Sequence, residues 1–142
     1  MQGDAAEHER GLAEFVSEAR RSRFSASLAK GGKARAKETA RLHDRPELDE
    51  RWVRPPFEQA AGDEHLLQIV RAVVAHAPNA REAYLVSGDQ DLDGHVMELH
   101  EGLQAATWAT EGTLLSIVPG RVAIYMGELA DSARLLVRHT GP

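Results

Sequence analysis

The side chains best spaced for chemistry are the acids of Asp89-Gln90-Asp91-Leu92-Asp93-Gly94. Carboxylates at alternate positions before a glycine form the first half of a calcium loop, because Ca²⁺ takes many oxygens and a tight turn converges them. Asp89, Asp91 and Asp93 are therefore the candidate metal ligands. The closing position of such a loop wants a bidentate Glu and here holds His100, with Glu98 and Glu101 to either side. A polar Asx loop whose Asp93 caps the following helix accounts for the same residues without an ion. His95, Glu98, His100 and Glu101 make a second acid–imidazole group, but of the histidines only His95 shares a helical face with Glu98. A zinc site needs three or four convergent ligands, so no cofactor is expected.

A second kind of chemistry is electrostatic. Arg20, Arg21, Arg23, Lys30, Lys33, Arg35 and Lys37, with Arg41 beyond them, form a basic run of the sort that neutralises phosphates. Residues 1–19 carry a net charge of −4, residues 20–54 +6 and residues 55–142 −7. The basic segment can meet a nucleic acid, or it can dock on the protein's own acidic half. Phe24 is the one aromatic residue within the run, so the interleaved bases-and-rings pattern of single-strand binders is missing. Lys30-Gly31-Gly32-Lys33 lacks the spacing of a phosphate-binding loop.

Nucleophilic chemistry finds little support. There is no cysteine, which excludes disulfides and thiol catalysis. Ser87-Gly88-Asp89 lacks the preceding glycine of a nucleophile elbow. The acidic start M-Q-G-D-A-A-E-H-E-R has no apolar run, so no secretory leader is expected; no stretch is apolar enough to span a membrane, and a cytoplasmic location follows as the default.

The elements that position these residues are read from periodicity. Residues 4–30 have helical spacing through Leu12, Phe15, Val16, Phe24 and Leu28, with Asp4 as N-cap and Gly31-Gly32 as the break. A second short helix, Lys33 to His43, buries too little to hold itself in place. Pro46, Pro55 and Pro56 mark a connector across residues 44–58, anchored by Trp52 and Phe57. Helices are expected near 63–77 and 95–108, and strands near 82–87, 112–118, 121–127 and 133–139. Gly112 to Gly127 is the strongest hairpin signal, folded at Pro119-Gly120 with Leu115 opposite Ile124 and Thr113 opposite Met126. The same register pairs Ile117 with Val122 and Val118 with Arg121. Leu115, Ile117, Val122, Ile124 and Met126 then share one apolar face. The other face (Leu114, Ser116, Val118, Arg121, Ala123, Tyr125) is only half apolar. Pro-Gly favours a type II turn, which suits a two-residue hairpin poorly, so a wider loop is expected.

This order of elements predicts an α+β fold: a small antiparallel or mixed sheet on helices 63–77 and 95–108, with a helical N-terminal arm. Residues 1–54 form the arm and 55–142 the core, within one compact domain. The half-apolar hairpin face and the edge strand at 133–139 point to a non-enzymatic module that binds another protein or its own copy. Nucleic-acid binding through 20–54 is the alternative, and a metal or enzymatic site around 89–101 a third.

Overall fold

The computed structural model describes residues 4–42, 47–58, 60, 62–109, 111–127 and 132–138. The chain runs α1 (Ala5–Ala13), α2 (Glu18–Lys30), α3 (Gly32–Ala40), α4 (Asp63–His76), β1 (Glu82–Ser87), β2 (Val96–Glu98), α5 (Leu99–Trp108), β3 (Thr113–Val118), β4 (Val122–Met126) and β5 (Arg134–Val137). The fold is α+β, with one antiparallel sheet in the order β2-β1-β3-β4-β5. His43 and His139, the expected ends of a helix and a strand, lie outside the described residues, as does Pro46.

The β3–β4 hairpin forms the middle of the sheet. Thr113 pairs with Met126 and Leu115 with Ile124, as the side-chain alternation requires. Past Ser116 the register slips, so that Val118 pairs with Val122 rather than Arg121. The cause is the turn. Pro119-Gly120 closes with Arg121 N–H donating to Val118 C=O at 2.9 Å, and Gly120 takes φ +72°. Such a turn does not match strand twist, and a bulge at Ile117 absorbs the misfit.

Both faces of the sheet are roofed. On one, Leu66, Ile69 and Val73 of α4 and Leu99 and Leu103 of α5 pack on Leu85, Leu115, Ile117, Val122 and Ile124. On the other, Leu12, Phe15, Phe24, Leu28 and Leu42 pack on Tyr84, Val86, Leu114, Ala123 and Tyr125. Each large aliphatic side chain so buried contributes about 1.5–3 kcal/mol. The half-apolar hairpin face is therefore largely interior: Leu114, Ser116, Ala123 and Tyr125 are buried, and Arg121 at the turn is exposed. Its polar member Ser116 is satisfied by His8, which removes the desolvation penalty that would have kept that face in water.

Three further expectations are corrected. The helix over 4–30 is two helices. Phe15 and Val16 must reach the core together with Leu12, and the chain turns a corner to let them: Val16 bridges Leu48, and Ser17 N–H donates to Glu47 C=O at 2.8 Å. Arg21 closes the corner by donating to the carbonyls of Ala13 and Val16. The helix expected from His95 begins at Leu99, because Val96, Met97 and Glu98 first pair with β1 as an edge strand. Glu98 then serves as N-cap, accepting from His100 N–H at 2.8 Å and Glu101 N–H at 3.2 Å, so Asp93 is not the cap. Gly62 occupies the N-cap position of α4, whose first helical residue is Asp63. Asp4 does cap α1, accepting from Glu7 N–H at 2.8 Å.

β5 is the other edge strand, as its alternation predicts. Val53 bridges Leu136, and Arg54 N–H donates to Leu135 C=O at 2.9 Å, so the connector covers part of that edge.

Candidate functional site

The densest gathering of titratable side chains lies where α1 and α3 meet β1. Helical spacing puts His8 on the same face as Gly11 and Leu12, so it enters the core with them. Glu9, next along, sits at the margin of that face. Arg35 comes from α3, Tyr84 from β1, Ser116 from β3 and Asp93 from the loop between β1 and β2.

Arg35 is the hub. Its Nε donates to Asp93 Oδ2 at 2.7 Å and its Nη2 to Asp93 Oδ1 at 3.1 Å, a two-pronged grip. Its Nη1 donates to Glu9 Oε2 at 2.6 Å and to the Leu28 carbonyl at 3.3 Å. Tyr84 O–H donates to the same Glu9 oxygen at 2.5 Å. Asp93 Oδ1 also accepts from Ser87 N–H at 3.1 Å, which fastens the loop to the end of β1. The Asp93 carboxylate, more than any other partner, holds the Arg35 guanidinium charged and raises its pKa further. Burial, reinforced by the bond to Glu9, pushes the Tyr84 phenol up to about 12. One guanidinium thus answers two carboxylates, and the phenol remains a neutral donor.

His8 stacks on the Tyr84 ring with centroids 5.7 Å apart, and its Nδ1 lies 2.7 Å from Ser116 Oγ. Burial lowers the imidazole pKa, against the opposing charges of Glu7, Asp4 and Glu82. The consequence for stability has a definite sign. A folded-state value below the unfolded one means that the unfolded chain takes the proton first. His8 therefore stabilises the fold above about pH 6.5, and that contribution is lost as pH falls below it. Replacing His8 by Gln keeps a hydrogen-bonding group for Ser116. The urea midpoint of His8→Gln should fall less between about pH 7 and pH 5 than that of the parent protein. Equal slopes would remove His8 from the account.

A cleft of about 260 Å³ opens beside the hub, lined by Gly32, Arg35, Thr39, Ser87, Gln90 and Asp93. Its hydroxyls are engaged: Ser87 Oγ pairs with Thr113 Oγ1 at 2.8 Å, and Thr39 Oγ1 donates to the Ala36 carbonyl at 3.2 Å.

The acids singled out in the sequence do not converge. Asp93 turns inward to Arg35, Asp89 Oδ1 accepts from Asp91 N–H at 2.9 Å, and Asp91 faces solvent. Among the described residues no three His, Asp or Glu side chains are arranged to hold a metal ion. Glu98 is committed to the cap of α5, and His95 precedes β2 outside the helix.

The basic run divides by helical face. Arg20 pairs with Glu38 at 3.2 Å, Arg21 holds the α1–α2 corner, and Arg35 is the hub. Arg23, Lys30, Lys33 and Lys37 are exposed, as is Arg41. The inward roles of Glu9, Arg35 and Asp93 escaped sequence reasoning, because their partners lie far apart in the chain. His8 carried a signal, its place one turn before Leu12. No family model, curated protein or solved structure matches this chain.

Proposed function

We propose that the protein is a small cytoplasmic, non-enzymatic interaction module that pairs with a second copy of itself through the outer face of α4. The titratable groups that meet inside the fold are used in holding one another. The surface offers something different. Leu67 and Val74, two turns apart on α4, are 45% and 47% exposed, and Trp108 at the end of α5 is 77% exposed. Between the two helices runs a groove of about 330 Å³ whose apolar walls include Val70, Leu99 and Leu103. Exposed apolar side chains grouped on one helical layer mark an association surface.

The observation that carries the reading is the order of residues along that stripe: Glu64, Leu67, Arg71, Val74, all exposed. An antiparallel pair of α4 helices with Leu67 on the twofold axis sets Glu64 of each copy beside Arg71 of the other. The stripe is self-complementary in charge as well as apolar, which is what an isologous contact requires.

Analytical ultracentrifugation at micromolar to millimolar protein tests this. The parent chain should sediment as a dimer of its 15.5 kDa protomer. Leu67→Glu should be monomeric. Arg71→Glu should weaken pairing, and adding Glu64→Arg in the same chain should restore it, by a coupling of about 0.5–1 kcal/mol for each exposed pair. A parent chain that stays monomeric across the range, or a charge swap that restores nothing, overturns the proposal.

A further inference from the structure

The outer face of α2 and α3 lies across the sheet from α4, and its charge is one-sided. Over residues 18–41 the only acids are Glu18 and Glu38. Glu38 is buried against Arg20. Solvent therefore meets Arg23, Lys30, Lys33, Lys37 and Arg41 with Glu18 as the single exposed carboxylate on the two helices. Among the described residues none of these five cations is held in an ion pair. The protein's net charge is −5, so this face departs from the sign of the molecule as a whole.

The fold itself produces this sorting. Arg20, Arg21 and Arg35 occupy the buried sides of their helices with Phe24 and Leu28, and the remaining cations fall on the opposite sides. Arg23 and Lys30 are seven residues apart, about 10 Å along one side of α2, and Lys33 and Lys37 lie about 6 Å apart on α3. The Gly31 turn, with φ +70°, joins α2 to α3, and the two helices pack against each other.

We infer that this face binds the phosphate backbone of double-stranded nucleic acid without reading its sequence. The chemistry of the face selects among polyanions. None of the large exposed apolar residues is on α2 or α3, so there is nothing to insert into a lipid surface. Phe24, the only aromatic on these helices, is buried, so no ring is offered to unpaired bases. Cations alone remain, spread over two adjacent helices, which matches a dense ladder of phosphates and confers no base recognition.

Fluorescence anisotropy with a labelled duplex of mixed sequence provides the test. With four or five phosphates neutralised, log K should fall against log salt with a slope of about −4, a loss of roughly two orders of magnitude between about 50 mM and 200 mM salt. Lys30→Gln/Lys33→Gln/Lys37→Gln should flatten the slope by about 2–3, and circular dichroism should show an unchanged fold because all three side chains are exposed. Leu67→Glu, which removes the proposed pairing contact, should still bind, so the two readings fail separately. Absence of binding at about 50 mM salt, an unaltered slope in the triple variant, or tighter capture by phosphatidylserine vesicles or polyglutamate than by the duplex overturns the inference.

Discussion

Gly11→Ala is expected to lift α1 off the sheet and lower the melting temperature by roughly 10 °C. On helix propensity alone the change should help, since alanine is favoured over glycine in a helix interior by about 1 kcal/mol. The structure reverses the sign. A Cβ at Gly11 would stand 2.3 Å from the Gly120 nitrogen and 2.8 Å from the Pro119 carbonyl carbon. Those are backbone atoms of the turn that closes the β3–β4 hairpin, so no side chain can rotate aside. Overpacking of a core costs about 1–3 kcal/mol where side chains can yield. Here the cost should exceed that range and leave a net loss of about 3 kcal/mol after the gain in propensity. Gly120→Ala serves as the contrast: its φ of +72° makes it strained, but no atom comes nearer than 3.7 Å, so about 1 kcal/mol is expected. Differential scanning calorimetry of the two variants decides the matter. A Gly11→Ala protein that melts at or above the parent would mean that α1 is not seated on the turn.

Removing the hub is the second large effect. Arg35→Met keeps the apolar stem but leaves Glu9 and Asp93 facing each other without their cation. Breaking a buried pair by deleting one partner costs about 3–5 kcal/mol, because a charge is left uncompensated. The Arg35 side chain is 17% exposed and borders a cleft, so water offsets part of this and about 3 kcal/mol is expected. The arm should loosen with it, since Arg35 joins α1, α3, β1 and the 88–95 loop at one point. Hydrogen exchange would then show lost protection in α1 and α3 ahead of α4 and β4. Adding Asp93→Asn to Arg35→Met should cost much less than the same change in the parent, giving a coupling above about 1 kcal/mol in a double-mutant cycle. Additive costs would show that Arg35 and Asp93 act independently.

Both effects depend on how the arm meets the sheet, which is also where the sequence was hardest to read. The α4 stripe and the hairpin were legible because each is periodic over a short stretch. Leu66, Leu67, Val70, Val73, Val74 and Ala77 recur at helical spacing, although Leu67 and Val74 meet solvent and Ile69, outside that spacing, is buried; Leu115 and Ile124 fall opposite each other from the alternation alone. The bulge at Ile117 could be anticipated only as a misfit at Pro119-Gly120. β2 was hidden, since three residues carry too little pattern to compete with the helical period that follows. The half-apolar hairpin face reads as an association surface from the sequence, because nothing near it in the chain shows what covers Ser116. His8, 108 residues away in sequence, makes that serine interior.

The candidate site divides in the same way. Asp89, Asp91 and Asp93 have loop-like spacing, but where each carboxylate points depends on a partner. Asp93 belongs to Arg35, 58 residues before it, and that pairing leaves no periodic trace. Charge totals showed a basic segment without showing that Arg20, Arg21 and Arg35 serve the interior while Arg23, Lys30, Lys33 and Lys37 meet solvent. Composition and local periodicity by themselves determined the α+β class, the absence of disulfides and the pairing at the centre of the sheet. The tertiary structure alone decided that both sheet faces are covered, that the glycine on α1 admits the hairpin turn, and which charges are spent inside. Short-range order is written in the spacing of neighbours, whereas the match between polar groups on distant segments exists only once the chain has closed.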